Sequence, residues 1–376
     1  MRSRDRFRGC LIGGAAGDAL GYAIEFNMEG QIFRRFGERG ITRYDLTDGV
    51  AEISDDTQMT LFTANGILTA AAKGTALDAY PRSIGRSYRD WLRTQESRYS
   101  PSVRPKCAWL GNIAALYSPR APGNTCLGAL HGVTLGSVDE PVNYSKGCGG
   151  VMRVAPIGLY FNGRGTDRET VCRLGAEAAA LTHGHALGWM PGAALALIIH
   201  EVAQDDAPID AAVRHALDTV ESVYGGYEYF LAFRQLMEKA LELAGEDLDD
   251  LDAIHELGMG WVGDEALAIA VYCAVRHQGD IDATLIAAVN HSGDSDSTGA
   301  IAGNIAGARA GFSGIPEKYL DRLELRDLIL ELADDLWLSD GPGVPKDADE
   351  AVWRQKYIDI VYGRPGESAG GTAGER

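Results

Sequence analysis

Apolar residues recur at helical spacing along most of the chain, and alternating runs of β-branched residues long enough for a sheet are hard to find. The joints between the apolar-periodic segments are short, as is typical within one helical body. The pattern therefore predicts an all-α fold. Helices are predicted at positions 8–24, 57–73, 80–95, 168–181, 187–203, 208–223, 229–243, 264–277, 297–312, 323–337 and 348–361.

Three stretches break this pattern. Residues 37–54 are polar and are expected to form a surface loop, whereas residues 119–150 are rich in glycine and proline and show little periodicity. Long irregular segments in a compact domain are usually functional or disordered. Residues 363–376 lack apolar anchors, so we expect a disordered tail there and a single helical domain over residues 1–362.

Glycine occupies every fourth position in two of the predicted helices, which places each set on one helix face. A helical glycine costs about 0.5–1 kcal/mol relative to alanine, so another interaction must offset the loss. Close backbone packing of the two helices would do so; the alternative is a pair of flexible helices rich in small residues. The two sets are Gly9, Gly13, Gly17, Gly21 and Gly299, Gly303, Gly307, Gly311.

The amino-acid composition limits which binding partners and which cellular compartment we expect. The formal net charge is −18, from 35 Lys and Arg against 53 Asp and Glu, so broad binding to nucleic acid is not expected. Six cysteines without a C-x-x-C spacing argue against a zinc knuckle or a redox pair and fit free thiols in a reducing compartment. The apolar stretch near the start carries Asp18 and many glycines, unlike a signal sequence or a membrane span. We expect a cytoplasmic monomer that does not enter a membrane.

Two clusters of carboxylates and hydroxyls, about 240 residues apart, each stand directly before a predicted helix. Taken singly, each cluster is most simply a helix cap, because such side chains accept the free N–H groups of a first turn. Taken together, they offer the hard oxygen ligands that Mg²⁺ or Mn²⁺ prefers, and two divalent cations would relieve the repulsion between the carboxylates. The candidate ligands are Ser54, Asp55, Asp56, Asp294, Asp296 and Ser297.

The first predicted helix carries two further acids, Asp18 and Glu25, which are two turns apart and share a face. Asp18 stands among glycines and alanines in what reads as a buried helix, where a carboxylate needs a partner. A structural hydrogen-bonding role is therefore favoured over metal binding for Asp18. Glu25, at the helix end, is freer to reach a metal.

A glycine-rich loop at residues 144–153 could bring backbone N–H groups close to a phosphate, although it matches no P-loop spacing and could be an ordinary turn. Cys148 in this loop invites a nucleophilic role, but no Cys/His pairing supports one. His183 and His185 flank a glycine at a helix junction, where they could be structural or could line a pocket.

Taken in order, these motifs resemble the ADP-ribosylglycohydrolase family, which includes the dinitrogenase reductase-activating glycohydrolase and the ADP-ribosyl-arginine and ADP-ribosyl-serine hydrolases. Each motif is weak alone, but the ordered set is specific and covers about residues 6–312. The resemblance implies a compact orthogonal helical bundle with a binuclear Mg²⁺ or Mn²⁺ site. The matching motifs are Gly17-Asp-Ala-Leu-Gly21 with Glu25, Ser54-Asp-Asp-Thr57, Gly147-Cys-Gly-Gly-Val-Met-Arg153, Leu181-Thr-His-Gly184 and Gly293-Asp-Ser-Asp-Ser297.

Site residues follow from the resemblance, position by position. It implies the same six metal ligands as above, makes Glu25 the family's mobile glutamate, and makes His183 a histidine of the substrate pocket. The sequence departs from the family in two respects: Ser54 and Ser297 stand where threonine is frequent, and Cys148 stands where a polar residue such as asparagine is expected. The loop that would receive the diphosphate and distal ribose comprises Gly147, Cys148, Gly149, Gly150, Val151 and Met152.

The resulting hypothesis is hydrolysis of the C1″ bond between ADP-ribose and an acceptor by a metal-activated water. A carboxylate must manage the proton, and the sequence does not choose among Glu25, Asp55, Asp56 and Asp296. Two other readings stay open at this stage. One is a binuclear phosphohydrolase, and the other is a non-catalytic, crystallin-like member of the family. The acceptor also stays open among arginine, serine, a nucleobase and a small ester such as O-acetyl-ADP-ribose.

Overall fold

The computed structural model describes residues 2–103, 105–204 and 207–360. In this part of the chain the regular structure is helical apart from isolated β-bridges, which confirms the all-α prediction. The tail predicted at residues 363–376 lies outside the described residues. The α-helices are α1 (Arg4–Tyr22), α2 (Glu29–Phe36), α3 (Asp55–Ala72), α4 (Tyr80–Glu96), α5 (Asn124–His131), α6 (Ala155–Phe161), α7 (Arg168–Ala180), α8 (Ala186–Val202), α9 (Ile209–Tyr224), α10 (Phe230–Leu243), α11 (Asp250–Leu257), α12 (Gly263–Arg276), α13 (Ile281–Val289), α14 (Ser295–Ala310), α15 (Arg326–Leu338) and α16 (Glu350–Trp353).

The long helices were predicted to within a few residues, whereas five helices of nine residues or fewer were missed. Such helices contain too few turns for a 3.6-residue period to stand out from the sequence. The prediction that residues 119–150 are irregular is wrong at α5, which lies inside that stretch. The missed helices are α2, α5, α6, α11 and α13.

The last two predicted helices differ at their ends. The helix predicted from residue 323 begins only at Arg326, because Leu325 has the left-handed φ of 56° and cannot be part of an α-helix. The helix predicted at 348–361 is a short α16 followed by a π-helical turn, Arg354–Ile358.

Helices α1 and α14 pack antiparallel through their glycine faces, as predicted. A Cβ atom built on Gly299 would lie 2.5 Å from the carbonyl oxygen of Gly17, and one on Gly13 would collide in the same way with Gly303. The absence of side chains on these faces therefore lets the two backbones touch. Gly311 is not helical as predicted: it follows the last residue of α14, with a φ of 78° that favours glycine. Its backbone still packs on the stripe of α1, because a Cβ atom on Gly9 would lie 2.5 Å from the carbonyl carbon of Gly311.

This antiparallel arrangement determines where the functional segments meet. It brings the end of α1 to the beginning of α14, so that a Cβ atom on Gly21 would collide with the backbone at Ser295. Around the pair, a cluster of buried hydrophobic side chains extends from Phe7 to Tyr357. None of the helices in the described part of the chain combines the length and apolar character that a membrane crossing requires.

Candidate active site

Two acidic segments distant in sequence meet beside the end of α1. Oxygen atoms of Glu25, Asp294 and Asp296 lie within 4.8 Å of one another, and all three residues are buried. Asp55 and Asp56, in the first turn of α3, are buried next to them. Asp55 helps to raise the pKa of Glu25, and Asp296 and Asp294 help to raise the pKa of Asp56. The fold thus gathers the carboxylates of both clusters and Glu25 into one site.

Burial and mutual repulsion disfavour the ionised forms of these acids. The pKa of Glu25 is raised to about 10, first by burial and then by the carboxylates of Asp296 and Asp294. Burial also raises the pKa values of Asp55, Asp56 and Asp294 well above the usual range. Five acids in such a place need a compensating charge.

Some oxygens of this cluster have no protein partner. Both Oε2 of Glu25 and Oδ1 of Asp56 are buried without a hydrogen bond. A buried acceptor without a donor is costly, and an oxygen-rich, sulfur-poor donor set suits a hard divalent cation. The residues present therefore fit Mg²⁺ or Mn²⁺.

The helix-cap interpretation of the two clusters is correct for one residue in each. The Ser54 hydroxyl accepts a hydrogen bond from the N–H of Asp56 (3.2 Å), and Asp294 accepts one from the N–H of Ser297 (3.3 Å). Asp55 instead accepts from the N–H of Gly123 at 3.3 Å. The helix starts are thus stabilised by the clusters without consuming all of their oxygens.

Asp18 is fully buried and connects α1 to the start of α3. Its carboxylate accepts hydrogen bonds from the backbone N–H of Ser54 (2.9 Å) and of Thr57 (3.0 Å), and from the Thr57 hydroxyl. Burial and Asp296 raise its pKa to about 7. Because protein donors occupy both of its oxygens, Asp18 positions the segment that carries Asp55 and Asp56. This agrees with the structural role that the sequence favoured for Asp18.

The glycine-rich loop lies along the Asp294 side of the site. It forms a short 3₁₀ turn, Cys148–Gly150, and the N–H of Cys148 donates to the carbonyl of Trp261 at 3.3 Å. Farther along the loop, Val151 and Met152 are buried, and the Ser297 hydroxyl lies 3.9 Å from the Met152 sulfur. The α-helix that follows starts only at Ala155, so the loop does not lead straight into a helix N-terminus.

Cys148 contacts a candidate metal ligand. Its thiol donates a hydrogen bond to Oδ2 of Asp294, with the sulfur 2.7 Å from the oxygen. Burial, Asp294 and Asp56 raise the pKa of the thiol well above its usual range. A nucleophile would need the thiolate, so the surroundings of Cys148 oppose a nucleophilic role.

His183 lies against the same loop. A Cβ atom built on Gly149 would be 3.0 Å from the His183 ring and 3.0 Å from the Cys126 sulfur, so a larger side chain there would press on both. Burial and the charge of Arg153 lower the pKa of His183 to about 3, which keeps the ring neutral. His185 instead caps α8 by accepting from the N–H of Leu187 (3.1 Å).

A hydrogen-bond chain leads from Arg153 to the ring of His183. The guanidinium of Arg153 donates to the Thr182 hydroxyl at 2.6 Å, and that hydroxyl lies 2.8 Å from Nδ1 of His183. Because arginine is only a donor, the Thr182 hydroxyl accepts from Arg153 and keeps its own proton for another partner. Nε2 faces the loop, since a Cβ atom on Gly147 would lie 3.3 Å from it.

Three supporting residues were not assigned a role from the sequence. Arg153 was visible at the end of the glycine-rich motif, but nothing local marked it as fully buried. Glu324 accepts a hydrogen bond from the N–H of Ile53 at 3.1 Å and forms an ion pair with Arg120. The backbone carbonyl of Arg120 in turn accepts a hydrogen bond from the N–H of Asp55 at 3.1 Å. Their partners are far away in sequence, so no spacing pattern could have identified them.

Comparison with known proteins gives a consistent picture. A family model described as ADP-ribosylglycohydrolase matches residues 1–344. An uncharacterized protein of Archaeoglobus fulgidus is 29% identical over 338 residues, covering 89% of this chain and 96% of its own length.

Two relatives have named activities. The ADP-ribosylhydrolase ARH3 of Homo sapiens is 26% identical, covering 86% of this chain and 90% of its own length. The ADP-ribosyl-[dinitrogen reductase] glycohydrolase of Rhodospirillum rubrum is also 26% identical, covering 86% of this chain and 91% of its own. A solved structure described as an ADP-ribosylglycohydrolase-related protein complex superposes with a TM-score of 0.53 at 25% identity, over 89% of this chain and 97% of that one.

Proposed function

Because the chain belongs to the ADP-ribosylglycohydrolase family and is a hydrolase of that class, we propose that it cleaves the C1″ glycosidic bond between ADP-ribose and an acceptor at a binuclear Mg²⁺ or Mn²⁺ centre. One observation carries the proposal. Two acidic helix starts, about 240 residues apart in sequence, converge with Glu25 in a buried cluster. A structural role alone would not explain why so many carboxylates share one buried place.

The two cations would be held by oxygen ligands from both helix starts. When bound, they would supply a water of lowered pKa and would orient the hydroxyl groups of the substrate ribose. The buried, unpartnered oxygen of Asp56 supports this assignment. The proposed ligands are Ser54, Asp55, Asp56, Asp294, Asp296 and Ser297.

Glu25 is the residue proposed to move the proton. Its Oε2 is buried beside the carboxylates of the cluster without a hydrogen-bond partner. A carboxyl group with a free oxygen beside the reacting bond can transfer a proton to the leaving acceptor. Glu25 lies in the turn after α1, three residues beyond Tyr22 and one residue before the exposed Phe26, so the departing acceptor is proposed to leave on this side.

Gly147 to Met152 are proposed to form the loop that receives the diphosphate and distal ribose, with Nε2 of His183 beside it. The N–H groups of Gly149 and Gly150 are the proposed donors, because the other N–H groups of the loop already donate within the protein. Cys148 keeps Asp294 in place through its thiol hydrogen bond. Binding by neutral donors also reconciles an anionic ligand with a protein of net charge −18. The proposed partner is an ADP-ribose conjugate, handled by a cytoplasmic monomer.

The proposal is tested by incubating the protein with an ADP-ribosylated peptide and Mg²⁺ and measuring released ADP-ribose. Asp55→Ala and Asp296→Ala should each abolish turnover and reduce Mn²⁺ binding in calorimetry, while circular dichroism stays helical, because either cluster alone provides too few oxygens. Asp327→Ala is the matched control, since Asp327 occupies the first turn of α15 as Asp55 does in α3. Undiminished activity in excess chelator would contradict the proposal, and release of inorganic phosphate without ADP-ribose would indicate a phosphohydrolase instead.

A further inference from the structure

Two aromatic side chains are exposed at the mouth of the acidic site. Phe26 is 73% exposed and Trp261 is 40% exposed. Their ring centroids are 6.2 Å apart, with an angle of only 19° between the ring planes. Met28 and Met259, one from each of the same two segments, are 59% and 44% exposed and extend the apolar surface. Scattered apolar side chains on a surface are ordinary, but a cluster beside a catalytic centre usually binds something.

Backbone contacts connect the pair to both walls of the site. Phe26 directly follows Glu25 in the turn after α1. On the other wall, the carbonyl of Trp261 accepts from the N–H of Cys148 at 3.3 Å, and the carbonyl of Met259 accepts from the N–H of Asp294 at 2.9 Å. The aromatic pair therefore joins the segment of the proposed proton donor to the segment that supports the proposed substrate loop.

The position of the pair indicates which part of the substrate it meets. The bond to be cut joins a ribose held at the acidic centre to the acceptor, and the acceptor leaves past Glu25. The residue next to Glu25 that extends furthest into solvent is Phe26. The acceptor is thus the part of the conjugate that reaches the ring faces.

We propose that Phe26 and Trp261 form a platform that selects the acceptor of the conjugate, and that the acceptor it takes is a guanidinium group. The inference rests on the proposed function and names the substrate class of that same site. Ring faces attract a flat, delocalised cation, and a guanidinium group is the side-chain group that stacks best on them. An acceptor linked through an aliphatic hydroxyl has neither a flat face nor a charge.

Charge near the platform favours the same acceptor. Glu265 lies behind Met259, where its carboxylate accepts from the N–H groups of Met259 (3.0 Å) and Gly260 (3.3 Å). Glu29 lies three residues after Phe26, paired with His255 at 2.8 Å. Neither segment of the platform, 26–29 or 259–262, contributes a Lys or Arg that would repel a cation.

The experiment compares two substrates that share ADP-ribose and differ in the acceptor. Kinetic constants are measured for an arginine-linked ADP-ribosyl peptide and for O-acetyl-ADP-ribose, whose acetyl group is too small to stack. For Phe26→Ala and for Trp261→Ala, we expect the KM of the arginine-linked peptide to rise roughly threefold to tenfold, the range of one cation–π contact. The kcat/KM for O-acetyl-ADP-ribose should stay within about twofold of wild type, because truncating a group that does not touch it leaves its binding unchanged.

Two further variants separate stacking from general damage. Phe26→Tyr keeps the ring face and should restore the KM. Leu231→Ala removes a side chain that is 66% exposed on α10 and should change the kinetic constants of neither substrate.

A readout that needs no turnover is the tryptophan fluorescence change on adding Nα-acetylarginine amide. This change should be larger than with the neutral citrulline analogue, and the excess should disappear in Trp261→Phe.

The experiment distinguishes a failure of the aromatic platform from a failure of the proposed function. Equal losses on both substrates, or no loss on either, would overturn the platform while leaving the proposed function intact. Wild-type protein that hydrolyses a serine-linked peptide and O-acetyl-ADP-ribose but not the arginine-linked peptide would overturn the guanidinium assignment alone. If none of the three conjugates yields ADP-ribose, the proposed function fails and the inference fails with it.

Discussion

The sulfur of Cys148 lies 2.7 Å from Oδ2 of Asp294, so that the thiol donates to a carboxylate expected to bind metal. We predict that Cys148→Ser retains most activity, since a hydroxyl can make the same hydrogen bond. Cys148→Ala should lose roughly tenfold in turnover, because a hydrogen bond to a charged group contributes about 1.5–3 kcal/mol. Turnover of both variants at saturating metal tests this. An inactive Cys148→Ser protein that still binds metal and ADP-ribose would instead indicate a nucleophilic thiol.

Gly149 provides a second test of the loop. A Cβ atom there would press on His183 and on the sulfur of Cys126, both at 3.0 Å. We therefore expect Gly149→Val to weaken ADP-ribose binding by at least about tenfold, since moving the loop by a fraction of an ångström misaligns its N–H donors. Calorimetric titration with ADP-ribose measures the effect. Gly226→Val, at a position with open space around it, is the control, and equal losses in both variants would contradict the steric explanation.

The glycine interface between α1 and α14 predicts a stability difference between two chemically identical substitutions. A Cβ atom on Gly303 would collide with the backbone of Gly13, so Gly303→Ala should lower the free energy of unfolding by about 2 kcal/mol or more. Gly128, in α5, has nothing within 4 Å of such an atom. Gly128→Ala should raise stability by up to about 1 kcal/mol, through the better helix propensity of alanine. Urea unfolding of both variants tests the pair, and similar effects would refute backbone contact.

Asp334 predicts a pH dependence of stability. Its carboxylate pairs with Arg4 and Arg8, each at 2.6 Å, and these partners hold its pKa below the usual range although its partial burial opposes that. A group whose pKa is depressed by folding stabilises the protein above its unfolded value of about 3.9, and this contribution disappears as the pH falls through the folded value.

We therefore expect Asp334→Asn to lower the free energy of unfolding by about 1 kcal/mol at pH 7, the size of a partly exposed ion pair. The difference from wild type should shrink as the pH falls below about 4. Denaturant titrations at several pH values measure it. A difference that is constant from pH 7 to pH 3 would show that the charge of Asp334 is not responsible.

The sequence predicted those parts of the candidate site and of the fold that depend on short-range patterns of residues. The repeated arrangement of Asp residues before a helix led to Asp56 and Asp294, and the four-residue glycine period led to the contact between Gly17 and Gly299. Both are short-range features whose physical meaning does not depend on the rest of the fold. The same reasoning separated Asp18, which anchors α3, from Glu25, which lies with the carboxylates of α14.

Features that depend on contacts between residues distant in sequence could not be predicted from such patterns. Glu324 supports Ile53 only because an irregular segment returns to the site, and the left-handed Leu325 that follows it has no marker in the sequence. The stacking of Phe26 on Trp261 joins residues 235 positions apart. Short helices such as α5 and α13 owe their stability to tertiary packing, so their propensity alone was a poor guide.

Asp18 makes the candidate metal site inseparable from the centre of the fold. Because it ties the start of α3 to α1, and α1 touches α14 along its length, the site should not open by local unfolding while the remaining helices persist. Amide hydrogens of α1 and α14 should therefore exchange only through global unfolding. Divalent cations should slow that exchange by the same factor in both helices, as mass action requires of a ligand that binds only the native state.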